Sequence, residues 1–204
     1  MDDLHKALGD ISSIRRQVAR TTEFRGYGPA TLAATSVFAV FAAVAQEFWI
    51  PQPAAHAGQY VGLWYSTAFV SAALAGFQMY TRSRRIHSGL SDEMIHMAVE
   101  QFLPAIGAGL LLTVVMLRTV PELAWMLPGL WQVTFSLGIF ASCRFLPRPI
   151  VAAGVWYLLT GLLCVGLGGN RALSPWAMAI PFGAGQMLVA GLLFFCARES
   201  SDED

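Results

Sequence analysis

The side chains best placed to do chemistry cluster near residue 96. Asp92, His96 and Glu100 recur four residues apart, so a helix would carry them on one stripe, and Glu93 joins His96 at a spacing of three. Glu93 and His96 have the Glu-x-x-His spacing that di-metal carboxylate bundles use. Such bundles need that motif twice with further Glu ligands, and here it occurs once. Two readings stay open. One is a metal site of Asp92, Glu93, His96 and Glu100, completed by His87 from the preceding segment. The other is an acidic helix start, stabilised by the helix dipole and by pairing with Arg82, Arg84 and Arg85. The second is preferred, because one helical stripe supplies too few convergent ligands. No cofactor is expected unless that metal is bound.

Glu100 carries a second possibility. It lies about 12 Å up the helix from Asp92 at ~1.5 Å per residue, and the sequence beyond it is apolar. Pro104 has no N–H to give to the carbonyl four residues back, so the carbonyl of Glu100 is freed. A carboxyl and a free carbonyl at one residue would suit a proton, a cation or a polar ligand, and ionisable groups inside a membrane are functional candidates by default. The competing view has Glu100 reaching to Arg84 or Arg144.

A second constellation combines Pro128 and Pro181 with Gln132, Gln186 and Trp131. Paired proline and glycine interruptions in corresponding helices are pointers to a transporter-like site. The two glutamines would hydrogen-bond a ligand, and Trp125, Trp131 and Trp176 would wall it. The plainer reading makes Pro104, Pro128 and Pro181 structural kinks, the glutamines partners of each other, and the tryptophans an interfacial belt. Pro128, Gln132, Gly138 and Cys143 are echoed by Pro181, Gln186, Gly191 and Cys196, which suggests a duplicated helix pair and a body of three hairpins.

These residues need elements to hold them, and hydropathy supplies those. Of 204 residues, 55% are hydrophobic and only 13% charged, a balance foreign to soluble domains. Six apolar stretches, near 29–50, 60–80, 91–117, 122–143, 150–167 and 175–197, are each about long enough to cross ~30 Å of hydrocarbon. The expected fold is an all-α, polytopic membrane bundle of six transmembrane helices. A charged loop is expected over 81–90, with Ser91 as N-cap of the third span. Residues 1–28 form a cytoplasmic lead-in, 29–197 the membrane domain and 198–204 a short acidic tail. Within the lead-in, Leu4, Leu8, Ile11, Ile14 and Val18 make the apolar stripe of an amphipathic helix suited to the lipid surface or to a protein partner.

Basic residues set the orientation. Lys6, Arg15, Arg16, Arg20, Arg25, Arg82, Arg84, Arg85, Arg144, Arg148 and Arg198 fall on one side, and only Arg118 and Arg171 on the other. Cytoplasmic loops retain Lys and Arg, so both termini are expected in the cytosol of a bacterial inner membrane. The first span reads as an uncleaved anchor, being longer than the apolar segment of a signal peptide. The three cysteines make no disulfide framework. Glu47, beside Phe48 and Trp49, is expected at the outer headgroup region.

The sequence holds no phosphate-cradling glycine loop, no Ser-His-Asp set, no Cys-x-x-Cys and no His-Glu-x-x-His. The primary expectation is therefore a non-enzymatic accessory or regulatory membrane component. Its partners would be the bilayer, a protein bound through residues 2–22 and the cytoplasmic loops, or a second copy held by small-residue faces, with no nucleic acid. A small-solute or ion carrier using Glu100, Gln132, Gln186 and Trp131 is the alternative, and a metal-dependent enzyme at His96 the third. In size and span count the chain is similar to small substrate-capture subunits of bacterial uptake systems, a likeness of architecture alone.

Overall fold

The fold is that of a computed structural model describing residues 29–86, 89–143 and 148–202, with side chains described over 31–78, 80–81, 96–143 and 149–192. The expected amphipathic lead-in, His87, and the arginines at 82, 84, 85, 144 and 148 fall outside the described side chains.

Among the described residues the chain is helical throughout, with no strand. Six long helices follow one another: α1 (Pro29–Trp49), α2 (Ala57–Ile86), α3 (Gly89–Thr119), α4 (Leu127–Ser142), α5 (Val151–Leu167) and α6 (Pro175–Asp202). This is the six-helix count that hydropathy predicts. Four stretches, Thr31–Trp49, Ala57–Gln78, His96–Thr119 and Pro121–Ser142, are long and apolar enough to cross a membrane, and Val151–Leu167 is a shorter apolar helix.

Proline sets many of the boundaries. Pro29 and Pro175 occupy the first helical position of α1 and α6, where the missing N–H has no partner to lose. Pro51 stops α1, since the residue before a proline is pushed out of the helical region. Pro121 opens a short 3-10 segment, Pro121–Met126, that feeds α4. Its tighter winding deals with Pro128: the N–H of Leu127 donates to the Ala124 carbonyl, the acceptor Pro128 cannot serve. Between α5 and α6 the chain reverses through Gly168 and Gly169, at φ 68° and 50°, a left-handed backbone that glycine adopts without steric cost.

Two boundaries differ from the sequence reading. α2 runs on to Ile86 and α3 starts at Gly89, so most of the expected 81–90 loop is helix and Ser91 lies inside the first turn. The Thr81–Ile86 segment holds no glycine or proline, and arginine is a good helix former, so loss of hydropathy alone does not end a helix. α6 likewise continues to Asp202, through the residues expected as a tail.

The helices close a ring in the order α2, α1, α6, α5, α4, α3. The two most extensive interfaces are α1 with α6 and α4 with α5, followed by α3 with α4. Pairing of first helix with last cuts across the three sequential hairpins expected from the echo between α4 and α6. Glycines set the closest approach. A Cβ on Gly161 would sit 2.8 Å from the carbonyl oxygen of Gly129, and one on Gly129 would sit 2.7 Å from that of Gly161. α4 and α5 therefore touch backbone to backbone. α2 and α3 are peripheral: 11% of the α2 stretch and 17% of the α3 stretch is buried, against 44% for α1 and for the α4 stretch. The outer surface is apolar, with Phe41, Phe48, Phe69, Phe77, Leu111 and Leu163 all well exposed.

Candidate functional site

The interior of the ring is polar and aromatic. Along α4, Gln132 and Ser136 lie one turn apart on the buried face, both with no exposed surface. They define two levels of side chains.

At the first level Gln132 meets α6. Its Nε2 donates to the Ala177 carbonyl at 3.0 Å and approaches Met178 Sδ at 3.9 Å. Pro181 is four residues after Ala177 and inside α6, so this carbonyl has lost its normal helical donor. Gln132 replaces the missing N–H. Around it, Tyr60 of α2 stacks on Trp131 at 6.2 Å between ring centroids, and belongs to the same packed cluster as Trp64 and Met178. Trp131 Nε1 donates to Thr113 Oγ1 at 2.8 Å, and the Thr113 hydroxyl donates to the Gly109 carbonyl at 2.7 Å. Tyr65 Oη lies 2.8 Å from the same Thr113 oxygen, so it acts as donor there. This ties α2, α3 and α4 together.

Next to this level Gln46 of α1 is used twice. Its Nε2 donates to the Leu173 carbonyl, and its Oε1 accepts from Trp64 Nε1, both at 2.8 Å. α1, α2 and the segment entering α6 are thereby locked at one point.

At the second level Ser136 of α4 and Tyr157 of α5 stand at the same height, since Gly161 packs against Gln132 and Gly154 against Phe140. The Tyr157 ring is enclosed by Phe135 at 4.9 Å and Phe182 at 5.2 Å. Its hydroxyl points at Gly185 of α6, where a Cβ would lie 2.5 Å from Oη. Trp156 Nε1 donates to the Pro181 carbonyl at 2.9 Å and secures α5 to α6.

Four buried polar atoms are left over in these two levels. Tyr60 Oη, Gln132 Oε1, Ser136 Oγ and Tyr157 Oη have no hydrogen-bond partner. Buried polar groups are normally paired, and each exception calls for an explanation.

The residues expected from sequence separate. Gln132 is enclosed, and its neighbour Trp131 is half-buried. Gln186 is half-buried on α6 at another depth: Gln132 is level with Ala177, so Gln186 lies about 13 Å further along at ~1.5 Å per residue. The two glutamines are thus not partners, and Pro128 and Pro181 do not stand at one depth. Glu100, expected as a buried carboxyl, is exposed, as is His96. The Ser142 hydroxyl donates to the Ala98 carbonyl at 3.0 Å, which sets this part of α3 beside the last turn of α4, about 15 Å from Gln132. Glu100 and Gln132 are therefore not one site. Among the described residues no group of three or more His, Cys, Asp or Glu converges; the side chains of Asp92 and Glu93 lie outside them. Trp176 is exposed, and Trp125 packs partly buried against the Tyr60 cluster. Pro104 is exposed within an unbroken α3, and Pro181 sits in an unbroken α6.

Sequence reasoning missed Gln46, Tyr60, Ser136 and Tyr157. Gln46 had a signal: it ends a stripe of Ala39, Ala42 and Ala43, spaced three to four apart, all buried. Ser136 follows Gln132 by four. The tyrosines gave no signal distinct from an aromatic belt.

The sequence matches no protein-family model, and neither the curated proteins nor the solved structures compared with it match.

Proposed function

We propose that the chain is an integral protein of a bacterial inner membrane, crossing it six times with both termini cytoplasmic, and that it serves as a non-enzymatic accessory or regulatory component of a membrane assembly. The apolar outer surface supports the membrane part, since a surface of this kind is suited to hydrocarbon and not to water. Segregation of Lys and Arg supports the orientation.

The accessory reading is carried by one observation, the contrast in packing around the ring. α1, α4, α5 and α6 share the two most extensive interfaces, and Gln46 bonds the segment entering α6 while Gln132 and Trp156 bond α6 itself. α2 and α3 lean on that core with most of their length uncovered. Without a hydrophobic driving force between helices in lipid, small residues such as Ala72, Ala75 and Gly76 on α2 favour close contact with another helix. The lead-in, residues 2–22, adds the cytoplasmic contact.

Two experiments test this. Reporter fusions should report both termini in the cytosol and an insertion after Ala54 outside; a periplasmic terminus refutes the topology. Cross-linkers at Phe69 and Leu111 should trap the chain with a defined partner in native membranes, and deleting residues 2–22 should weaken that product. No defined cross-linked product, or native associations unchanged by the deletion, refutes the accessory role. The carrier reading survives in a reduced form, resting on Gln132 and its unpartnered Oε1 and no longer on Glu100 or Gln186.

A further inference from the structure

We propose that the outward faces of α2 and α3 form a self-complementary interface, and that the partner covering them is a second copy of this chain in the same membrane. This rests on the six-span reading above and names what occupies the side that α2 and α3 leave uncovered.

Gly62, Ser66, Phe69, Ala73 and Gly76 recur along α2 at steps of four, three, four and three, and all five are exposed. On α3, Glu100, Pro104, Gly107, Leu111 and Val114 recur at the same steps, and all but the half-buried Gly107 are exposed. Alternating steps of three and four mark a seam that packs on another helix. The bundle itself makes no use of the glycines in these seams. A Cβ at Gly62, Gly76 or Gly107 would meet nothing within 4 Å, whereas one at Gly129, Gly138 or Gly161 would strike a neighbouring helix. Glycine weakens a helix relative to alanine, and in lipid its return is the close approach of a second helix. Glu100 is an independent sign. It lies within the apolar stretch His96–Thr119 and is exposed, yet ionisable groups within membrane spans seldom face lipid. A neighbour on this face removes it from lipid.

Depth selects the neighbour. Tyr65 Oη lies 2.8 Å from Thr113 Oγ1 and 3.3 Å from the Gly109 carbonyl oxygen, so Tyr65 is level with the turn between them. Val61 packs in the cluster of Met116 and Leu117, which agrees with α2 and α3 running in opposite directions. Each step forward on α2 thus matches one step back on α3. A second copy turned by half a turn about the membrane normal keeps every residue at its depth. Its α2 laid on α3 brings Gly62 to Val114, Ser66 to Leu111, Phe69 to Gly107, Ala73 to Pro104 and Gly76 to Glu100. At every level a small residue meets a larger one, and where α2 carries the bulk, at Phe69, α3 carries Gly107. The two-fold axis makes this contact twice.

Charge and area favour the same arrangement. Laying α3 on α3 sets Glu100 against Glu100 and Arg118 against Arg118, like charges that repel at one depth. Laying α2 on α2 sets Phe69 against Phe69. Phe69 and Phe77 are 76% and 68% exposed and offer roughly 200–350 Å² at ~150–250 Å² per aromatic side chain. With Leu103, Leu111, Val114 and Val115, each about half exposed or more, one copy offers roughly 600–800 Å², the share each partner gives to a standard interface.

Cysteine cross-linking between two differently tagged full-length copies in native membranes tests this, with Cys143, Cys164 and Cys196 replaced by serine. One copy carries Phe69→Cys and the other Gly107→Cys. The expected result on mild oxidation is a disulfide joining the two, in excess of either copy joined to its like. A majority of like-with-like products overturns the pairing. No copy-to-copy product overturns the second copy as occupant. Gly107→Leu probes the same face without touching the fold, because its side chain starts in open space. Co-purification of the two tags should fall roughly tenfold or more, the SDS unfolding midpoint should not drop, and Phe69→Ala added to it should restore the pair. Association undiminished by Gly107→Leu, or not restored by Phe69→Ala, overturns the proposal. Reporter fusions judge the six-span reading on their own, so correctly inserted chains that fail to cross-link sink this pairing alone.

Discussion

Consider replacing Gln132 by leucine, alone and together with Pro181→Ala. In the wild type the Gln132 amide donates to Ala177, whose carbonyl Pro181 leaves without a helical donor. Leucine fills a similar volume but cannot donate, so a buried acceptor is stranded at a cost of about 1–3 kcal/mol. Side-chain hydrogen bonds between helices in bilayers average about 0.6 kcal/mol and reach about 1.7. The expected cost of Gln132→Leu is therefore about 1–2 kcal/mol. Pro181→Ala restores an N–H aimed at the same carbonyl. In that background Gln132→Leu should cost less by about 1 kcal/mol, roughly a fivefold difference in unfolding equilibrium. Any effect of removing the Gln132 oxygen is common to both backgrounds and cancels. The assay is reversible unfolding of the four proteins by SDS in mixed micelles, followed by helical circular dichroism. Equal costs in both backgrounds, within the ~0.3–0.5 kcal/mol expected of independent sites, would refute the claim that this glutamine serves the carbonyl proline has freed.

Four further outcomes are expected. Gly161→Ala should destabilise by about 1–3 kcal/mol, because the new methyl meets the Gly129 carbonyl and forces α4 and α5 apart. Gly62→Ala and Gly107→Ala, with open space at both positions, should be neutral or stabilise by up to ~1 kcal/mol in the same melts. Gln46→Leu strands both Trp64 Nε1 and the Leu173 carbonyl and should cost about 2 kcal/mol or more; an unchanged SDS midpoint contradicts the lock described for α1. Cys164 is buried, its thiol turned to the Ala172 carbonyl at 3.6 Å. With Cys143 and Cys196 replaced by serine, it should react with maleimide only after unfolding, and rapid labelling of the native protein argues against the α5 packing.

Hydropathy made the helices readable, and proline placed several of their ends. What it left unreadable is which face of each helix turns inward. On a soluble helix polar residues mark the outside, but here Phe41 is exposed beside buried Ala42, and Phe69 is exposed while Tyr60 is enclosed. An outer surface of Phe, Leu and Val around an interior that mixes Ala and aromatic rings with a few polar groups erases the usual amphipathic pattern. The same lack of contrast hid the ring order and the peripheral place of α2 and α3. At the site, Gln132 was legible because an amide in an apolar helix needs a partner, and so was the proline that weakens α6. Their connection was not, because the donor and the carbonyl it serves lie 45 residues apart. Glu100 misled for a related reason: apolar residues after it suggested enclosure, while helix α3 turns it outward.

The partnership of α1 with α6 also bears on biosynthesis. Gln46 waits for a carbonyl made 127 residues later, roughly 6–25 s at ordinary elongation rates. Throughout that interval α1 has α2 beside it, through Trp64 and Tyr60, but the Gln46 N–H and the side of α1 that meets α6 have no partner. A chain stopped before its last helix would keep that N–H unpaired and that side of α1 open to lipid.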